Sequence, residues 1–218
     1  MGYFVTPNYS LTFIPKSGCS TLSRCVIKAF QPEEEALITG AAYPNGKTAD
    51  NSMWQSFVKR EKYPSKPILA MIRDPIERFR SAVAQFKLSD VDYVIEALVN
   101  ESTIVSNTRR HREINISKNQ HFMPQILWVD VNTKLYKFPE HINEASAEIG
   151  FMLPLPQINA ASYPKPTLTA EQTAVLEEYY AEDIALFESI VSPGIITGVI
   201  SANPVSLVPP VIPDDEEP

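Results

Sequence analysis

LTFIPKSGCSTLSRCVIKAF, residues Leu11 to Phe30, passes from a short apolar, strand-like segment (Leu11 to Ile14) through a loop of small residues (Lys16 to Thr21) into an amphipathic helix carrying Leu22, Val26, Ile27 and Phe30. Strand, loop and helix in that order make an anion site. The first N–H groups of a helix have no partner within it and stand at the positive end of its dipole, so they face whatever negative group occupies the loop. Lys16 adds a mobile cation, and Ser17, Ser20 and Thr21 add hydroxyl donors. Gly18 lets the backbone come close because it carries no Cβ. A phosphate or a sulfate suits such a loop. The stretch is not a Walker A loop, which reads GxxxxGKS or GxxxxGKT with the lysine after the second glycine; here the lysine comes first and one glycine follows. Taken alone, IPKSGCST is equally a strand end followed by a helix cap, since Ser, Thr and Lys are common at such junctions.

The bulk of the chain sets the frame around this stretch. Its 218 residues, 44% of them hydrophobic, suffice for one α/β domain with a buried core. The formal charge is −7, but Asp214, Asp215, Glu216 and Glu217 lie in a proline-bearing tail, and without those four the body is near −3. Such a body has no general attraction for nucleic acid or acidic membranes, so an anionic ligand must be held by a local cluster of cations. Cys19 and Cys25 project from different sides of the helix, so no disulfide is expected, and neither CxxC nor HExxH spacing occurs. Cys19 stands where a helix N-terminus lowers a thiol pKa, although a small loop filler is the simpler reading. MGYFVTPNYS lacks the basic and long apolar regions of a signal peptide, and no stretch reaches the ~18 apolar residues of a membrane span. A soluble, cytoplasmic protein without an integral membrane segment is expected.

Outward from the loop, the plan repeats. Residues 32–66 are polar and broken by prolines and glycines, with a short helix expected around 53–59. Pro67 to Ile72, PILAMI, is the continuous apolar run of a strand buried on both faces. Asp74 then caps a helix with Pro75 at its first position, running to about Leu88. A further helix is expected over 89–99, where Val91, Val94, Ile95 and Leu98 share a face. Residues 102–120 show little periodicity but hold the basic group Arg109, Arg110, His111 and Arg112. Ile126 to Val129 and Lys134 to Phe138 read as strands, and Glu140 to Ile149 as a helix ending at Gly150. Residues 151–168 read as loop. TAEQ at Thr169 opens, as a capping box, a long helix to about Ile190. Residues 1–192 thus form a single domain, and 193–218 a Pro-rich acidic tail, extended or disordered.

The helix after PILAMI belongs to a second motif, IRDPIERFRSAVAQF. It puts Arg73 at a strand end and Ser81 two turns into the following helix, where an arginine can grip a phosphate bidentately and a serine can add a hydrogen bond. The plain alternative is a surface helix with Arg78 and Arg80 solvated and Glu77 paired. Together, IPKSGCST and IRDPIERFRSAVAQF resemble the sulfotransferases that use 3′-phosphoadenosine 5′-phosphosulfate (PAPS), and within them the carbohydrate sulfotransferase branch. That family has an IPKxGxTS-like loop for the 5′-phosphosulfate and an RDPxxRFxSxY-like segment for the 3′-phosphate. It also commonly has an HxxPQ element, matched by His121, Pro124 and Gln125, and an EDxxLF-like helix end, matched by Glu182, Asp183, Leu186 and Phe187. The resemblance spans about residues 10–190. It departs in the Cys19-Ser20-Thr21 loop end and in Val83 with Ala84, where an aromatic is frequent.

What the resemblance implies is specific. The fold would be a three-layer α/β sandwich, with a mainly parallel central sheet, helices on both faces and a P-loop-like phosphosulfate loop. The loop Lys16, Ser17, Gly18, Cys19, Ser20 and Thr21 would hold the phosphosulfate, and Arg73 and Ser81 the 3′-phosphate. Sulfuryl transfer is in-line displacement at sulfur, governed by positioning and charge stabilisation. Lys16 would neutralise the leaving oxygen, with no metal required. Among the three histidines His121 leads as general base, because imidazole titrates near working pH. His111, within RRHR, is the second candidate, Glu77 a weaker one, and His141 structural. The acceptor is expected to be a hydroxyl, first of all on a carbohydrate. Two rivals stand: a P-loop nucleotide kinase or phosphotransferase, and a non-catalytic anion-binding module. Nothing in the sequence sets the oligomeric state.

Overall fold

The computed structural model describes residues 3–31, 33, 60–105, 113–151 and 164–195. Among them the elements run, in chain order, β1 (Tyr3–Val5), β2 (Ser10–Thr12), α1 (Cys19–Phe30), β3 (Arg60–Glu61), β4 (Ile68–Arg73), α2 (Pro75–Phe86), α3 (Val91–Val99), β5 (Thr103–Val105) and β6 (Glu113–Asn115). A 3₁₀ turn (Gln125–Trp128), β7 (Lys134–Phe138), α4 (Ile142–Glu148), α5 (Ala170–Tyr179), α6 (Ala181–Ser189) and β8 (Gly194–Ile195) complete the fold. Six strands form one sheet in the order β3-β1-β2-β4-β7-β8, and β5 pairs with β6 in a separate hairpin.

The sheet is mixed rather than mainly parallel. β2, β4 and β7 run parallel at its centre, whereas β3, β1 and β8 join antiparallel at the edges. The buried run in β4 explains the central part. Leu69 and Met71 point to one face, where Leu22, Val26 and Ile27 of α1 and Ala145 of α4 pack with them; Ala70 and Ile72 point to the other, against Trp128, Val129 and Leu186. Strict alternation on a strand supplies both cores at once. A third cluster joins α2, α3, α5 and the β5–β6 hairpin through Phe79, Val83, Val94, Leu98, Ile104, Ile114, Phe122 and Leu176.

Three elements differ from the expectations. Ile126 to Val129 is not a strand but lies in and after the 3₁₀ turn, because the Asp183 carboxylate accepts the N–H groups of Gln125 (2.6 Å) and Ile126 (2.8 Å) that a ladder would have used. The long terminal helix is two helices that meet at Tyr180, whose hydroxyl donates to the Phe122 carbonyl at 2.5 Å. The break serves two clusters: Leu176 of α5 packs with α2 and α3, and Leu186 of α6 packs under the sheet. Gly194–Ile195, expected to open the tail, adds an edge strand against β7. The Thr169–Gln172 capping box and the Asp74 cap with Pro75 at the first helical position are both present. The expected helix at 53–59 and the basic group at 109–112 lie outside the described residues.

Candidate active site

The three parallel strands all deliver their C-terminal ends to one place. β2 leads into the Phe13–Gly18 loop, β4 ends at Arg73, and β7 ends at Phe138. In open α/β sheets such an edge is where ligands bind. α1 begins there with Gly18 at its N-cap, no acidic residue in its first turn and no side-chain cap, so neither a carboxylate nor a capping hydroxyl competes for its positive end.

Within the loop, burial sorts the predicted residues into two groups. Lys16, Gly18, Cys19 and Ser20 reach the surface, whereas Ser17 and Thr21 are buried. The Ser17 hydroxyl donates to Gln125 Oε1 at 2.9 Å and so fastens the loop rather than facing a ligand. Cys19 packs on the core of α1, and burial raises its thiol pKa, as suits a loop filler. Lys16 adopts a left-handed backbone at φ 70, rare for a residue with a Cβ, and its Nζ donates to Gln85 at 2.8 Å. Burial lowers the pKa of that ammonium, and Arg73 and Lys165 push the same way while Cys19 opposes them.

Arg73 secures the loop from the next strand. Its Nη1 donates to the Lys16 carbonyl at 2.9 Å, and its backbone is clasped by the Gln125 amide, which accepts from Arg73 N at 3.0 Å and donates to Arg73 O at 2.7 Å. Glu77 lies 3.9 Å from Arg73 and pairs with Arg80 and, at 2.7 Å, with Lys165. Although partial burial raises its pKa, Lys165 and Arg80 outweigh that and hold the carboxyl below its usual range, so Glu77 is an ion-pair partner. Ser81 is buried on the second turn of α2.

Arg78, solvated only in the plain surface-helix alternative, is fully buried. Its guanidinium donates to three carbonyls: Pro15 at 3.0 Å through Nε, Met123 at 2.8 Å through Nη1 and Gln120 at 2.8 Å through Nη2. Pro15 immediately precedes Lys16, and Gln120 immediately precedes His121. One side chain therefore ties the lysine loop to the histidine turn. A sequence signal existed, because Pro75, Arg78 and Ala82 lie on one helical stripe whose other members are buried apolar residues.

His121 is half-buried, with the Phe86 ring edge-on at 5.1 Å. Burial pushes its imidazole down, and Arg78 and then Lys16 push it the same way, to about 3. An unfolded imidazole titrates near 6.5, so between about pH 6.5 and pH 3 the unfolded chain binds a proton that the folded one refuses, and stability falls as pH falls through that window. In urea titrations between about pH 7 and pH 4, His121→Gln is expected to lose less stability than the parent protein; equal losses would remove His121 as the source. His141 sits at the N-cap position of α4 without a side-chain cap bond and accepts the Lys137 N–H through Nδ1 at 3.2 Å, a structural role. His111 lies outside the described residues.

Gly18 is doubly constrained. Its φ is 83, and a Cβ there would stand 2.7 Å from Cδ2 of Phe138. Gly18→Ala is expected to cost about 2 kcal/mol in chemical denaturation, from left-handed strain plus the clash. Adding Phe138→Leu should return part of that loss; an unchanged deficit in the double variant would assign it to the backbone alone.

Among the described residues no helix is long and apolar enough to cross a membrane, and no cluster of three or more His, Cys, Asp or Glu could hold a metal ion. Comparison with protein-family models, with curated proteins and with solved structures yields no match in any of the three.

Proposed function

We propose that this protein is a PAPS-dependent sulfotransferase of the carbohydrate sulfotransferase type, transferring a sulfuryl group to an acceptor hydroxyl by in-line displacement. The observation that carries the reading is the joint between its two motifs: Lys16 stands at the uncapped start of α1, and its own carbonyl is gripped by Arg73. The donor set suits a phosphosulfate, with an ammonium, the Gly18–Ser20 backbone at a helix N-terminus, and the Ser20 hydroxyl on the accessible side. PAPS would supply an activated sulfuryl group on a good leaving phosphate. Lys16, with its solvation already reduced by burial, neutralises charge that grows on the leaving oxygen. Arg73 holds the loop and, with Ser81, marks the side for the 3′-phosphate. His121 is neutral at physiological pH and takes the acceptor proton. Burial depresses its basicity most; anionic charge beside Lys16 offsets only the smaller part due to Arg78 and Lys16, and to that extent the base strengthens as the loop fills. The P-loop-like character of the loop and the three-layer family fold belong to this same reading. The free cysteines fit a reducing, cytoplasmic setting.

Calorimetry with adenosine 3′,5′-bisphosphate and with ATP plus magnesium tests the assignment, together with transfer of labelled sulfate from PAPS to a panel of glycan and small hydroxyl acceptors. Binding of the bisphosphate and labelled product are expected. Binding of ATP with no response to the bisphosphate would sink the proposal in favour of a nucleotide phosphotransferase, and bisphosphate binding without transfer to any acceptor would favour a non-catalytic module.

A further inference from the structure

Asn119 opens the turn that carries His121 and addresses that residue twice. Its Oδ1 accepts the His121 backbone N–H at 3.0 Å and faces His121 Nδ1 at 3.0 Å. The first contact identifies the atom, because a backbone N–H only donates and must therefore meet the amide oxygen. An oxygen acceptor beside Nδ1 then requires the hydrogen on Nδ1, which leaves the lone pair on Nε2. The asparagine is itself fixed, since its backbone carbonyl accepts from Phe122 at 2.8 Å and Met123 at 3.0 Å. Arg78 holds the intervening Gln120 carbonyl. His141 is the opposite case: its Nδ1 accepts a backbone N–H, so its hydrogen is on Nε2.

We propose that Asn119 is a positioning residue for the base, holding the hydrogen on Nδ1 so that Nε2 of His121 is the atom that accepts the proton. The inference rests on reading His121 as the base. In the transfer, the acceptor oxygen forms its bond to sulfur as the bond from sulfur to the leaving phosphate oxygen breaks, and the hydroxyl proton passes to Nε2. The resulting imidazolium keeps its Nδ1–H bond to Asn119 and afterwards releases the Nε2 proton to solvent. The charged groups facing His121 are Lys16, from the loop after β2, and Arg78, from α2, and both disfavour that imidazolium. Asn119 supplies a dipole of the favourable sense without a charge that would hold the proton.

Nitrogen-15 spectra of the ligand-free, histidine-labelled protein read the tautomers directly, and labelled-sulfate transfer from PAPS across pH reads the consequence. The parent protein is expected to show His121 with hydrogen on Nδ1 and His141 with hydrogen on Nε2. Asn119→Ala should move His121 toward hydrogen on Nε2 and lower kcat roughly 10–100-fold, with KM for PAPS unchanged. Asn119→Asp should keep the Nδ1 hydrogen and shift the acid limb of the kcat profile to higher pH, because a carboxylate favours the imidazolium. Hydrogen on Nε2 of His121 in the parent protein, or an unchanged tautomer and kcat in Asn119→Ala, would overturn the proposal alone. Undiminished turnover in His121→Ala would overturn the base reading and the proposal with it.

Discussion

Lys16→Gly is expected to lose turnover on the order of 10²–10³-fold, the scale of removing one electrostatic stabiliser from a transition state, while its urea midpoint stays at or above that of the parent protein. The two halves have separate causes. The lost ammonium belongs to the residue two before the Gly18 N-cap of α1, and under the proposed reaction charge on the leaving oxygen then goes uncompensated. The backbone at this position is left-handed at φ 70, where a Cβ costs roughly 1–2 kcal/mol and glycine costs none. Lys16→Ala should show the same kinetic loss without the gain in stability. A lysine kept where glycine is easier is the pattern of strain retained at a working position. Turnover within a few fold of the parent in both variants would remove Lys16 from the chemistry.

Arg78→Met is expected to destabilise the fold by roughly 2–5 kcal/mol, because the buried Pro15 carbonyl and the part-buried Met123 and Gln120 carbonyls lose their donor at once and an orphaned buried acceptor costs about 1–3 kcal/mol, less where water can reach it. Against a total stability of about 5–15 kcal/mol that is a large fraction. Chemical denaturation measures the loss, and histidine titration by NMR measures a second consequence. With the guanidinium gone, the first of the two charges acting on His121 is removed and its pKa should rise; Arg78→Lys should keep it depressed while restoring only part of the stability. A His121 pKa unchanged from the parent in Arg78→Met would assign the shift to burial and Lys16.

The residues whose roles are local were readable before any coordinates. Strand, loop and helix at Leu11 to Phe30, the Asp74–Pro75 helix start and the Thr169 capping box each depend on a few neighbouring residues and a fixed spacing, and each is present. Where long-range partners decide, local pattern misleads. Ile126 to Val129 has the composition of a strand, and only a carboxylate from residue 183 turns its N–H groups away from a ladder. The burial of Arg78, which the plain surface-helix alternative leaves in solvent, depends on carbonyls from two other loops. Tyr180 interrupts a pattern continuous in sequence because Phe122, fifty-eight positions earlier, offers an acceptor. The mixed sheet was missed for a related reason: Tyr3–Val5, Arg60–Glu61 and Gly194–Ile195 are too short to show a period, and pairing defines them as strands. In the candidate site, Lys16, Gly18, Ser20, Arg73 and His121 are named by type, spacing and resemblance alone. Gln125 and Asp183 were visible as matched motif positions, but that they clasp one another was not.

That clasp gives the protein an order of assembly. The lysine loop, Arg73 and Gln125 are all synthesised before residue 126, yet Gln125 is set by the Asp183 carboxylate near the start of α6. A nascent chain that holds every residue of the lysine loop therefore still lacks the carboxylate that sets Gln125, and with it the fixed acceptor of the Ser17 hydroxyl and the clamp on the Arg73 backbone, although Arg73 Nη1 already has the Lys16 carbonyl. Under the proposed function, the loop reaches its described geometry only once α6 has docked.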